Sequence, residues 1–339
     1  MSKPHRPLSG VPLGRISHTL AFIRYLRSFG VPTDRYLTSN KLPTLCEEPG
    51  TLIPVPNMYG FLAAAAHEEE LLLGWSVGEA LGYQQLSAAL RRQLETAPTL
   101  LMALKTLVAL VNSETSDIDV GIKQYENDIM LYTTCVRLRG VSGYSIAQAY
   151  HISVFVSLVQ QFLGKDWRPA TIGLECQRTH ADPPEHYQAS RISYQSEFGY
   201  FTVPRFCLHR AIGPGHGERT ANTGLQPIDQ TDTLELMRRL LSSYLAEGYV
   251  SQSFAAELLD TSVRSLTRRL SKHGTTYQSF IDGLRFQVAR ERLMNPDMHI
   301  IDAAHEVGFS DQGDFSRMFR RVSGMTPAEF RRTDRTGVH

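Results

Sequence analysis

The segment IIDAAHEVGFSDQGDFSRMFRRVSG, Ile300 to Gly324, decides how the last third of this 339-residue chain is read. Ala303 and Ala304 put two small side chains on the inner face of a short helix, so a neighbouring helix can come close. A tight turn at Gly308-Phe309-Ser310 follows, and a second helix is expected to begin after the serine, a residue type whose side chain caps a helix start. Side chains three and four apart share a helical face. On that basis Phe315, Met318 and Phe319 point inward, while Gln312, Ser316, Arg317 and Arg320 point outward. An apolar face backed by a polar, basic one suits a helix that rests on a core and presents its outer side to a nucleic acid. There Arg and Gln read base edges with two hydrogen bonds each, and hydroxyls fill base or phosphate contacts.

The same arrangement occurs a second time in FAAELLDTSVRSLTRRLSKHG, Phe254 to Gly274. Here Ala255 and Ala256 occupy the inner face of the first helix, and Asp260-Thr261-Ser262 makes the turn. Val263, Leu266 and Leu270 are expected to face inward, and Arg264, Thr267, Arg268 and Lys272 outward. From Asp229 to the end the chain has 15 acidic and 15 basic residues, and the whole chain is formally +1, so total charge favours no partner. Its placement does. Thr261 to Ile281 contains Arg264, Arg268, Arg269 and Lys272 without an acid, and Arg317, Arg320 and Arg321 cluster on the second helix; a local basic patch is what attracts phosphate. Between the two units lies one long helix, about Tyr277 to Met294, with Phe280, Ile281, Leu284 and Val288 on a stripe. Its length of roughly 27 Å makes it a strut that can hold two recognition helices about one DNA turn (~34 Å) apart on one side of a duplex.

Upstream, GPGHGERTANTGLQPID, Gly213 to Asp229, has four glycines, two prolines and little to bury, which reads as a linker. The expected division is residues 1–212 as a sensing or dimerisation domain, 213–230 as linker and 231–335 as a helical domain. The first part mixes helices at Leu62 to Leu73, Gln84 to Leu94, Ser145 to Leu163 and one opened by Pro98 and running to Val111 with strands. Alternation at Ile118, Val120, Ile122 and at Ile129, Leu131 about a Tyr125–Asp128 turn predicts a hairpin, with further strands near Thr171 to Cys176 and Gly199 to Val203. The fold class is therefore an α+β domain followed by an all-α domain with two helix-turn-helix units. The N-terminus lacks the apolar run of a signal peptide, and the most apolar windows, Leu100 to Val111 and Ile152 to Val159, are shorter than the ~20 residues a bilayer needs, so a cytoplasmic protein is expected.

Four scattered cysteines, Cys46, Cys135, Cys176 and Cys207, offer neither a disulfide framework nor a CxxC site. Cys176 and His180 stand four apart, with His186, Cys207 and His209 beyond, but no second close pair accompanies them, and scattered structural residues are the expectation, with no metal or cofactor. His67-Glu68-Glu69-Glu70 reads as a solvated helix face. Tyr59, Phe61, Trp75 and Tyr83 are core residues or line an effector pocket. No GxSxG, Walker or GxGxxG pattern is present, so no enzyme is expected.

The region Thr231 to Arg332 resembles the DNA-binding domain of the AraC/XylS family of transcription regulators. The resemblance is carried by VGFSDQGDFSRMFRRVSGMTPAEFR, Val307 to Arg331, which ends in GxTPxxFR at Gly324, Thr326, Pro327, Phe330 and Arg331. It covers about a third of the chain and implies seven helices. It also implies a DNA-reading face at Arg264, Thr267 and Arg268 in the first unit and at Gln312, Ser316 and Arg317 in the second. Gly313 departs from the pattern, since a side chain able to reach DNA is common there. The first part, and its closing stretch YFTVPRFCLHRAI (Tyr200 to Ile212) in particular, resembles the sensory domains of one branch of the family. That implies a small-molecule effector, a homodimer contact, or both, with activation through RNA polymerase as the family's usual outcome. Some domains of this type are fused to DNA-repair methyltransferases, whose reactive cysteine sits in a Pro-Cys-His-Arg run; neither Cys46 nor Cys135 does. The alternative to an effector-responsive regulator is an architectural DNA-binding protein without effector.

Overall fold

The computed structural model describes residues 11–45, 50–66, 70–116, 118–177, 184–211, 228, 232–248 and 250–336. Two compact units emerge, one from Pro12–Leu42 with Glu48–Ile228, the other centred on Asp229–His339. The expected linker at 213–230 lies outside the described residues except for Ile228, which is buried and whose N–H donates to the Asn112 carbonyl. The stretch 67–69, Cys46 and His180 lie outside them too.

The first unit is α+β. In chain order it contains β1 (Leu13–Arg15), α1 (Ile16–Ser28), α2 (Asp34–Ser39), β2 (Leu52–Pro54), α3 (Val55–Ala66), α4 (Glu70–Leu81), α5 (Ala88–Glu95), α6 (Leu100–Leu110), β3 (Asp119–Tyr125), β4 (Asp128–Thr134), α7 (Tyr144–Leu163), β5 (Thr171–Gly173), β6 (Arg191–Ser193) and β7 (Gly199–Pro204). β1 pairs with β2, and the other five form a sheet in the order β3-β4-β7-β5-β6, antiparallel throughout except for β5 with β6. The hairpin turns where its alternation ends, with Tyr125 opposite Asp128 and Glu126 at a left-handed φ of 50°.

Helix α7 is the spine of this unit. It has the length and apolar composition to cross a membrane, which the shorter apolar windows in the sequence did not suggest, but 72% of its most apolar window is buried inside the unit. A Cβ at Gly74 of α4 would stand 2.1 Å from the Ile146 carbonyl oxygen, and one at Gly78 would stand 2.4 Å from Ser153 Cβ, so α4 can lie on α7 only with glycine at both places. The expected helix Leu62 to Leu73 covers the end of α3 and the start of α4, with 67–69 between them outside the described residues. Pro98 also stands outside its helix: Thr99 caps α6, accepting from the Met102 N–H. The first two N–H groups of α6 bond to the carbonyls of Arg210 and Leu208, so the Tyr200–Ile212 stretch closes this helix end after completing β7.

The second unit is helical among its described residues: α8 (Thr233–Leu241), a 3-10 turn (Ser242–Glu247), α9 (Gln252–Leu258), α10 (Val263–Lys272), α11 (Tyr277–Leu293), α12 (Ile300–Glu306), α13 (Gln312–Ser323) and α14 (Pro327–Thr336). Most of these starts carry local chemistry, the head of α12 at His299 having no side-chain cap. Ser251, Ser262, Thr276 and Asp311 accept a backbone N–H at the heads of α9, α10, α11 and α13. The cap of α13 is thus Asp311 rather than the expected Ser310, because the second turn is one residue longer than the first. GxTPxxFR is explained in the same terms. Gly324 ends α13 at φ 83°, Pro327 opens α14, and Thr326 with Glu329 forms a reciprocal cap (Thr326 N to Glu329 Oε2 2.7 Å, Glu329 N to Thr326 Oγ1 3.3 Å). Phe330 then packs its ring on Phe319, and Arg331 donates to the Met298 carbonyl.

Candidate nucleic-acid interface

Each helix-turn-helix is assembled on the strut α11. Ala255, Ala256, Ala303 and Ala304 are buried to within 2%, as the close helix packing requires, and Leu266, Leu270, Phe315, Met318 and Phe319 fill the space beneath the recognition helices. Around the second unit the core joins Ala289 and Leu293 of α11 to Phe315, Met318 and Phe319, with Phe286 and Phe330 at its margin. The strut's inner stripe runs Tyr277, Phe280, Ile281, Leu284, Ala289, Leu293; Val288, expected on it, is only half-buried.

Counted from their first residues, α10 and α13 superpose position by position: Leu266 with Phe315, Leu270 with Phe319, Arg264 with Gly313, Thr267 with Ser316 and Arg268 with Arg317. Arg264, Thr267, Arg268, Lys272, Gln312, Arg317 and Arg320 are all exposed, and Ser316 is half-buried. Val263 corrects the reading of the first unit. Placed inward by its apolar character, it is 43% exposed, because at the first position of α10 it precedes the buried Leu266–Leu270 stripe.

The two faces differ in how free their side chains are. Among the described residues Arg264 and Arg268 form no hydrogen bond or ion pair. Arg317 is tied to Asp314 one turn earlier on its own helix. Thr267 Oγ1 donates to the Val263 carbonyl (2.9 Å) and accepts from Gln252 Nε2 (2.8 Å) at the head of α9. Gln252 was missed in the sequence, where a residue before an apolar run carries no signal. It lies with Thr267, Ser271, Thr276 and Gln278 on a surface hollow of about 340 Å³ beside α10, lined by amides and hydroxyls and without an acid. Arg321, counted with the basic cluster, turns to the strut and pairs with buried Asp282 at 2.7 Å, while Gln278 donates to the same carboxylate at 3.0 Å.

A joint within the helical unit connects the two helix-turn-helix motifs. Arg285 of α11 is buried, donates to the Gly248 carbonyl (3.4 Å) ahead of the first unit, and lies 4.8 Å over the ring of Phe309 in the turn of the second. Gly308 of that turn has φ 82°, and a Cβ there would sit 2.3 Å from the Leu245 carbonyl oxygen and 2.6 Å from that of Gly248.

Elsewhere, His186 lies 3.5 Å from Glu79, and burial pushes the Cys207 thiol pKa up. Among the described residues no three His, Cys, Asp or Glu side chains come together as a metal-binding group. Phe61, Trp75 and Tyr83 are core residues, Trp75 packing on Tyr187; Tyr59 is buried too but borders an internal cavity.

Residues 255–333 match a family model described as a helix-turn-helix domain. The ornithine utilization regulator of Pseudomonas aeruginosa is 36% identical over 102 residues, 30% of either chain. The regulator VqsM of the same organism is 21% identical over 249 residues, 70% of this chain and 76% of its own. Among solved structures the regulator CdpR of Pseudomonas aeruginosa aligns over 93% of this chain and 98% of its own, at 20% identity and a TM-score of 0.39. The chain spans about a third of the length of the curated relatives it matches first. Those named here are regulators of transcription rather than enzymes.

Proposed function

We propose that this chain, whose residues 255–333 match a helix-turn-helix family model, is a sequence-specific DNA-binding regulator of transcription of the AraC type. Its first unit senses a small molecule, pairs subunits, or both. The observation that carries the reading is the pair of equivalent helices on one strut, with Arg264 and Arg268, unpaired among the described residues, on the first and exposed Arg317 and Arg320 on the second. At 17 residues the strut is about 26 Å long, which suits two successive major grooves on one face of a duplex. Arg264, Arg268, Gln312 and Arg317 read bases; Thr267, Lys272, Ser316 and Arg320 complete base or phosphate contacts, and the hollow beside Gln252 receives the sugar-phosphate backbone. Gly313 in the place of Arg264 makes the second unit the weaker reader.

Activation through RNA polymerase is the favoured outcome, and relatives named as activators support it. The site of action is the cytoplasm. Selection of genomic fragments with the purified protein, followed by footprinting at two salt concentrations, tests the reading. A protected site covering two adjacent grooves on one face, weakening as salt rises, is the expected result. Salt-sensitive binding without a preferred site would identify an architectural protein instead, and no binding with or without candidate effectors would overturn the reading.

A further inference from the structure

Inside the first unit a chamber of about 30 Å³ is walled by α1, α3, the β3–β4 hairpin and α7, through His18, Met58, Tyr59, Ile118, Thr133 and His151 among others. It has room for about two water molecules. We propose that this chamber is a ligand site for a small neutral molecule with a hydroxyl or carbonyl group, held by the Tyr59 hydroxyl and the His151 imidazole. The inference rests on reading the first unit as the sensing part.

Buried polar groups normally have partners, and most around the chamber do. His18 Nδ1 is 3.0 Å from Tyr150 Oη and its Nε2 is 3.6 Å from Glu114. Gln148 Nε2 donates to Glu175 (2.9 Å) and Gln148 Oε1 accepts from the Glu175 N–H (2.8 Å). Tyr144 Oη donates to Glu175 (2.8 Å) and accepts from the Cys135 N–H (3.2 Å). The exceptions include Tyr59, His151 and the Thr133 hydroxyl. Among the described residues neither the Tyr59 hydroxyl nor either ring nitrogen of His151 has a hydrogen-bond partner, and both side chains border the chamber. The His151 ring is otherwise held by aromatic contacts, stacked on Phe155 and tilted against Tyr150. A neutral imidazole offers one donor and one acceptor, and a phenol hydroxyl does either. Together they match a hydroxyl or carbonyl oxygen.

Charge argues for a neutral ligand. Glu114 has Arg15 at 3.9 Å and Glu175 has Arg139 at 2.5 Å, so each carboxylate already has a cation within ion-pair distance, and an ion would lose its hydration against mostly apolar walls. Entry has a structural candidate as well. Tyr144 borders both the chamber and an outer cleft of about 440 Å³ that includes Arg139, Ser142, Glu175 and Ser196. A ring rotation that released its Glu175 and Cys135 hydrogen bonds would be the step that admits a ligand from the cleft.

The test titrates the full chain with 1-propanol, phenol and acetamide, and with acetate and propylammonium as charged counterparts, following the thermal midpoint and heat of binding. A saturable rise with neutral probes only is expected. Tyr59→Phe, which removes one oxygen, should weaken it at least about fivefold, and Ile118→Phe, which fills the chamber, should abolish it. Equal responses from wild type and both folded variants, or no saturable response to any neutral probe, would overturn the inference. Footprints of the same proteins separate the two readings. Probe binding that leaves promoter occupancy and output unchanged keeps the chamber and removes the sensing role. An effector that acts equally on wild type and both variants keeps the sensing role and removes the chamber.

Discussion

Arg268 and Arg317 occupy equivalent turns of the two recognition helices, yet only Arg317 has an acid beside it. Arg268→Ala should therefore cost about 1–3 kcal/mol of specific binding, read by titration against the selected site. Arg317 must leave Asp314 before it can reach a base, and an exposed pair of this kind is worth at most about 1 kcal/mol. Asp314→Asn should accordingly tighten specific binding by up to about fivefold; unchanged or weaker binding would mean that Arg317 does not turn to the DNA. In the first unit, burial, and secondarily the neighbouring His18, holds the His151 pKa down at about 3. Unfolded, the same imidazole titrates near 6.5. Its contribution to stability is complete above that pH and shrinks as pH falls toward 3, by about 1.4 kcal/mol per unit. Relative to His151→Phe, the wild-type protein should lose about 2 kcal/mol between pH 6.5 and pH 5, measurable by denaturant titration at each pH. A difference that stays constant with pH would show that His151 is solvated.

At the scale of elements, the helix ends and the strut joint support the proposed interface. Thr326→Ala removes the cap of α14 and should cost about 0.5–2 kcal/mol in the stability of the helical unit, with Phe330 loosened from Phe319 as a consequence. Arg285→Met preserves the bulk of the strut but removes the bond to Gly248 and the charge over Phe309. Each helix-turn-helix would keep its own core. Binding to a full two-groove site should then fall by about 1–2 kcal/mol while binding to a half-site changes little; equal losses on both would mean that Arg285 supports folding alone. The recognition helices were legible in the sequence because their apolar spacing, basic outer faces and small inner residues are all local signals. Val263 and Ser310 were misread for a local reason as well. Apolar character does not say whether a first-turn residue lies over the core, and a serine that caps one turn does not cap a turn one residue longer.

At the scale of the whole molecule, the proposed regulator should show a salt slope set by the phosphates it neutralises, with log K falling linearly in log salt. Inserting about half a helical turn of DNA between the two half-sites should abolish simultaneous engagement if α10 and α13 enter successive grooves on one face as proposed. By itself the sequence determined the class of each part, the two repeated units and the basic faces, since these follow from residue types at spacings of two to four. It also carried the ending GxTPxxFR, whose glycine, cap, proline and phenylalanine each act within a turn of their own position. Only the tertiary structure decided which candidates are free to reach DNA. Asp314 holds Arg317, Gln252 occupies Thr267, and Asp282, 39 residues away in the chain, draws Arg321 off the face. The chamber belongs to the same class. Tyr59 and His151 are 92 residues apart, and no local pattern records that α3 and α7 bring both to the chamber. Partnership between distant side chains depends on how elements pack, and packing is a property of the folded chain rather than of any window within it.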